Sequence, residues 1–152
     1  MIGYGNMLRS DDGVGVWVAD RIAALHLPDV DVKTCHQLFP ELAADILQYD
    51  TVIMVDASTI GEPITVRESI PPPEHLPSSN HNVSPELLQQ LAHEMYGVSV
   101  GMHVYTVRGE SFEFGSILSS TVKELAIKTV DLIAALLRQI HQKSMNASFI
   151  LN

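Results

Sequence analysis

Segments of helical and strand periodicity alternate along this chain and predict an α/β protein, a three-layer domain with helices on both faces of a mixed sheet of about five strands. Three observations carry that expectation. Val14, Trp17, Val18, Ile22 and Leu25 recur at helical spacing. Residues 51–55, Thr-Val-Ile-Met-Val, form an unbroken apolar run of the kind found in strands buried on both faces. A chain of 152 residues that is 46% hydrophobic and 18% charged has the size and apolar content of one domain with a substantial core.

The elements follow in order. A helix is expected over 13–25, then a strand in which Val30, Val32 and Thr34 alternate with polar neighbours. Leu42, Ile46 and Leu47 mark a helix over 40–48, ahead of the inner strand 51–55 and a shorter strand 64–67. Pro71-Pro72-Pro73 excludes regular helix and marks an exposed loop. Ser84-Pro85 pairs a good N-cap with proline in the first turn of a helix carrying Leu87, Leu88, Leu91 and Met95. A strand is expected over 98–108, with Gly97 and Gly101 as turn or bulge. The last helix, about 120–142, aligns Val122, Leu125, Thr129, Leu132, Ile133, Leu136, Leu137 and Ile140 on one face. The domain is therefore 1–142, followed by a tail, 143–152, without periodic pattern and expected to be disordered. Only Met1 and Ile2 precede Gly3, where an inner strand normally has about 5–6 residues. The first strand is thus expected to be missing, leaving the sheet open at a hydrogen-bonding edge.

Composition narrows the partners. Eighteen acids against nine Lys and Arg give a formal net charge of −9, which argues against nucleic acid and disfavours anionic membranes. Cys35 is the only cysteine, so there is no disulfide framework and no paired-thiolate metal site. No apolar stretch reaches the length that spans a bilayer and no export signal is readable, so a cytoplasmic setting is expected, with the chain a monomer. Asn146-Ala147-Ser148 matches a glycosylation sequon that has no secretory route to serve it.

The chemistry concentrates in Gly3-Tyr4-Gly5-Asn6-Met7-Leu8-Arg9-Ser10-Asp11-Asp12-Gly13-Val14-Gly15, a glycine-rich turn that delivers adjacent carboxylates to a helix start. Singly, Asp11 and Asp12 read as helix N-terminal acids. Asp56, at the end of the inner strand, stands where open α/β sheets place their ligands, although capping of the next turn would also account for it. His81 lies in the polar loop 78–85, where a solvated histidine is the plain reading. Together, two carboxylates and an imidazole from three loops suit a divalent transition metal and leave coordination positions open. A dinucleotide-binding loop fits poorly: its third glycine would fall on Leu8, and the paired acids would repel a pyrophosphate.

The opening segment resembles the signature of the endopeptidases that mature nickel-iron hydrogenases, Gly-x-Gly-Asn-x-Leu-x-x-Asp-Asp/Glu-Gly-x-Gly, matched by Gly3, Gly5, Asn6, Leu8, Asp11, Asp12, Gly13 and Gly15. Val55-Asp56-Ala57 matches the family's strand-end aspartate, His81 its loop histidine, and Gly115-Ser116-Ile117-Leu118-Ser119 the pattern opening its last helix. The resemblance runs from residue 3 to about 137. It implies an enzyme that trims the C-terminal extension of the hydrogenase large-subunit precursor, the partner, after recognising nickel that the substrate itself supplies. It places Asp12, Asp56 and His81 on that metal; His75 shares the loop, and the downstream helix favours His81. Asp12 and Asp56 are the catalytic candidates, with the nucleophile unassigned, because no Gly-x-Ser-x-Gly or His-Glu-x-x-His occurs and Cys35 has no readable partner. A metal-polarised carbonyl and a carboxylate-activated water both stay open. A non-enzymatic nickel-recognising chaperone would use the same residues. Asp11, Asn6, His36 and Gln37 are supporting or specificity candidates. His36-Gln37-Leu38 stands where many members have a glycine-rich turn, and that difference bears on which hydrogenase is served.

Overall fold

The computed structural model describes residues 1–69 and 83–150. Its five strands are β1 (Ile2–Tyr4), β2 (Lys33–Cys35), β3 (Thr51–Ser58), β4 (Ile64–Ser69) and β5 (Gly101–Arg108), and its helices are α1 (Val14–Ala23), α2 (Leu42–Asp45), α3 (Pro85–Tyr96) and α4 (Ser120–Ile150). The strand order is β2-β1-β3-β5-β4. All neighbours are parallel except β4, which runs antiparallel to β5 at the edge and makes the sheet mixed, as expected.

The side-chain period of two in the inner strands divides the core. Val52 and Met54 of β3, with Met102 and Val104 of β5, face Leu42, Ile46, Leu88 and Ala92 of the α2–α3 layer. Ile53 and Val55, with Tyr105 and Val107, face Val14, Val18 and Ile22 of α1 and Val122, Ala126 and Ile133 of α4. A continuous apolar run is therefore what a strand covered on both sides requires, and each large aliphatic side chain so buried contributes about 1.5–3 kcal/mol.

Four expectations are corrected. The first strand is present: Ile2–Tyr4 lies near the middle of the sheet, its register pairing Gly3 with Thr34 on one side and Val55 on the other. Glycine in a strand reads as a turn, but here it serves close packing, since a Cβ on Gly3 would overlap the Gly15 carbonyl and Ala19 of α1. The second strand is shorter than 30–34, because Val30 and Val32 reach the α1–α4 core from outside the sheet ladder. The fifth begins at Gly101 instead of being interrupted there, and Val98 is exposed. The last helix continues through Ile150, beyond 142. Nothing in 143–150 stops a helix, the segment having neither glycine nor proline. Within α4, Leu132 is exposed and leaves the inner stripe, whereas Thr129 is buried and donates its hydroxyl to the Leu125 carbonyl at 2.9 Å.

Candidate functional site

Because β1, β2 and β3 are parallel, their C-terminal ends converge, and the segments leaving them meet at one edge of the sheet. Tyr4 closes β1, His36 and Gln37 follow β2, and Asp56 stands two residues before the end of β3. With Asn6 and Asp12 from the opening loop, these residues line a cleft of about 580 Å³. The sheet thus gathers Asp12, Asp56, Asn6, His36 and Gln37 into one depression. His81 lies outside the described residues.

The opening loop is shaped around Asp12. Gly5 has φ +139°, and a Cβ there would overlap the Asp12 carbonyl, so only glycine lets the chain pass so close. The Asn6 amide donates to Asp12 Oδ2 at 2.8 Å, and the Asn6 side chain accepts from the Leu8 amide at 2.9 Å, closing the turn. Asp12 itself sits in a 3-10 turn, Ser10–Gly13, that runs directly into α1. Its carboxylate is fixed by one backbone donor and otherwise faces the cleft.

Asp56 Oδ1 accepts from the Ala57 amide at 2.8 Å, and the Tyr4 hydroxyl bonds the same carboxylate. Burial pushes the Asp56 carboxyl up to about 6; the nearby negative charge of Asp12 adds to the rise, and the Ala57 amide and Tyr4 hydroxyl counter it in part. Burial, then the adjacent Asp56 charge, holds the Tyr4 phenol far above its usual range, so it remains a proton-bearing donor.

Asp11 has a different task from its neighbour. Fully buried, it accepts from the Ser119 amide at 2.7 Å, the Ser119 hydroxyl at 3.0 Å, and the Glu110 and Ser111 amides at 2.9 Å each. These donors outweigh the cost of burial and hold its carboxyl below the usual range. Asp11 therefore ties the opening loop to the segment 109–119, whereas Asp12 lines the cleft.

The cleft also holds residues that the sequence did not single out. Arg9 lines it while its Nε donates to the Phe112 carbonyl at 3.1 Å. Arg67 of β4 pairs with Glu86 of α3 at 2.6 Å on the opposite rim. Tyr4 could have been found, because it is the residue that follows the inward Ile2 by two; Arg67 carried no local signal and depends on the β4–β5 pairing. Cys35 packs against the α2–α3 core and burial pushes its thiol up, the opposite of an activated nucleophile. Among the described residues no group of three or more His, Cys, Asp or Glu is assembled to hold a metal ion. Among them, too, no helix is long and apolar enough to cross a membrane.

The fold that carries this acid-lined cleft is similar to that of solved NiFe hydrogenase maturation proteases. The protease HycI from Thermococcus kodakarensis is 27% identical, with a TM-score of 0.71 over 90% of each chain. The hydrogenase maturating endopeptidase HybD from Escherichia coli is 25% identical, with a TM-score of 0.66 over 91% of this chain and 90% of that one. A hydrogenase 2 maturation peptidase from a Thaumarchaeota archaeon, 23% identical with a TM-score of 0.66 over 90% of this chain and 95% of its own, shares the fold. No protein-family model matches the chain, and no curated protein does.

Proposed function

We propose that this protein is an endopeptidase that removes the C-terminal extension of a NiFe hydrogenase large-subunit precursor, and that Asp12, Asp56 and His81 recognise nickel carried by that precursor. The observation that supports the reading most is the convergence of Asp12 and Asp56, 44 positions apart in the chain, on one cleft of the fold shared with such proteases.

The arrangement suits a metal that arrives with its substrate. Each carboxylate is oriented by a backbone N–H, which leaves further lone pairs for a cation. Two carboxylates and one imidazole leave coordination positions for substrate groups, so nickel bound to the precursor would complete its shell only when loaded precursor docks. Hydrolysis adds one water across the scissile peptide bond, the hydroxyl going to the new carboxyl terminus and a proton to the leaving amine. Asp12 and Asp56 would serve either route to that addition, a carbonyl polarised by the metal or a water activated by a carboxylate.

Incubation of the purified protein with nickel-loaded and nickel-free precursor, read by intact mass, tests this proposal. Loss of the C-terminal extension from the loaded form alone is expected. A stable complex with no change in precursor mass would mark a nickel-recognising chaperone instead, and equal cleavage of both forms would remove nickel from the reading.

A further inference from the structure

The segment 109–119 combines rigidity with exposed apolar side chains. Its backbone is pinned to the opening loop by the Asp11 bonds, by Ser10 N–H to the Gly115 carbonyl at 2.8 Å and by Gly115 N–H to the Leu8 carbonyl at 3.0 Å. Beside Gly115, Phe114 is 86% and Ile117 is 80% exposed. Met7 and Leu8, on the opposing strand of chain, are about half exposed, and Met7 shares a shallow groove with Ile117. Large apolar side chains held outward on a fixed backbone lose little conformational freedom when covered, as in residues that dominate binding interfaces.

We infer that Met7, Leu8, Phe114 and Ile117 form the surface on which the folded body of the precursor docks while its C-terminal tail occupies the cleft; the inference rests on the proposed function and extends it. A cleft of about 580 Å³ has the volume of a small-molecule pocket and cannot admit a folded protein, so the body of any protein substrate must rest on its rim. The rim is asymmetric. On the side of β4 and α3 it carries the Arg67–Glu86 ion pair. On the other side Asn6 and His36, which line the cleft, also line the depression beside Met7 and Leu8, and Met7 in turn shares its groove with Ile117, so the candidate site adjoins the apolar surface. The occupant is therefore an apolar patch on the large subunit near the point where its extension emerges.

The test compares wild type with Phe114→Ser/Ile117→Ser and, separately, Leu8→Ser, in cleavage of whole nickel-loaded precursor, alongside thermal melts and sedimentation. These side chains lie outside the core and the cleft, so melting is expected to be unchanged. KM for the precursor should rise at least about tenfold in the double variant, with kcat within about twofold. A KM unchanged in both variants while wild type cleaves normally overturns the docking surface alone. Wild type that fails to cleave loaded precursor overturns the peptidase reading and the docking surface with it. Loss of a wild-type dimer with KM unaltered assigns the patch to self-association and likewise overturns the proposal.

Discussion

Adjacent aspartates in the opening loop have opposite environments, and their substitution should separate function from stability. Asp12→Asn and Asp56→Asn, which keep volume at the cleft, should abolish precursor processing with circular dichroism and melting essentially unchanged, and His81→Ala should do the same. Cleavage at the wild-type rate in two of the three would remove the assignment. Asp11→Ala instead leaves part-buried donors at Glu110, Ser111 and Ser119 without their acceptor, and should cost about 1–3 kcal/mol, read from denaturant unfolding. The two carboxyls also have opposite pH signatures. Asp11 is held below its ordinary pKa, so its contribution is present above that ordinary value and is lost as pH falls through the folded one. Asp56, raised to about 6, keeps a proton that the unfolded chain has already released, so its contribution to stability declines as pH rises from about 4 to about 6. The carboxyl carbon shift of Asp56 should titrate with a midpoint near 6, and Asp12→Asn should lower that midpoint by removing a neighbouring charge; an unmoved midpoint would show that the two carboxylates do not sense each other. Local rules, a glycine-rich turn and a strand end, marked Asp12 and Asp56 as candidates, but only the resemblance set Asp12 apart from Asp11. Arg67 and Glu86 were not, since their meeting depends on an antiparallel edge strand and a helix far apart in sequence.

At the scale of elements, α1 lies unusually close to the sheet, and two glycines make that possible. A Cβ on Gly15 would overlap the carbonyl oxygens of Tyr4 and Val55, backbone atoms that cannot swing aside. Gly15→Ala should therefore destabilise by about 2–3 kcal/mol or more, even though alanine is the better helix former. Gly97, which ends α3 at φ +70° with open space around it, sets the contrast: Gly97→Ala should cost about 1 kcal/mol, for backbone conformation alone. Chemical denaturation of both variants checks the order, and a larger loss at Gly97 would mean that the close approach of α1 is not limiting. The same packing explains how the first strand escaped the sequence reading. Its glycine signals a turn by composition, and only the helix lying across it reveals why a side chain is absent. Where local signals and tertiary demands agree, the reading held: Ser84 accepts from the Leu87 amide at 3.2 Å as N-cap of α3, with Pro85 in its first turn. The two-sided core of β3 was likewise visible in its unbroken apolar run, whereas the far end of α4 was not, because the residues after 142 carry no periodicity yet include no glycine or proline to stop a helix.

The whole molecule holds its acids at a cleft open to solvent, and this bears on metal content. Isolated protein dialysed against chelator should retain far less than one equivalent of nickel or zinc by elemental analysis, because the remaining coordination is to come from the precursor. Stoichiometric metal after dialysis would point to an autonomous metallopeptidase. Substrate choice should reside on the cleft wall at His36 and Gln37, which add bulk and donors after β2. Exchange of 36–38 for the segment of a relative serving another hydrogenase should shift cleavage toward that precursor, and an unchanged preference would clear the segment of the role. The buried knot at Asp11 has one more consequence, and it concerns time. Its carboxylate is satisfied by residues about a hundred positions downstream, and β3, which carries Asp56, is flanked by β5. Closing such long loops comes late in folding, after the local helices. During synthesis the opening loop is made about a hundred residues before Ser119, on which its shape depends. The nascent chain therefore carries Asp12 and Asp56 without an assembled cleft until β5 and the segment 109–119 have followed.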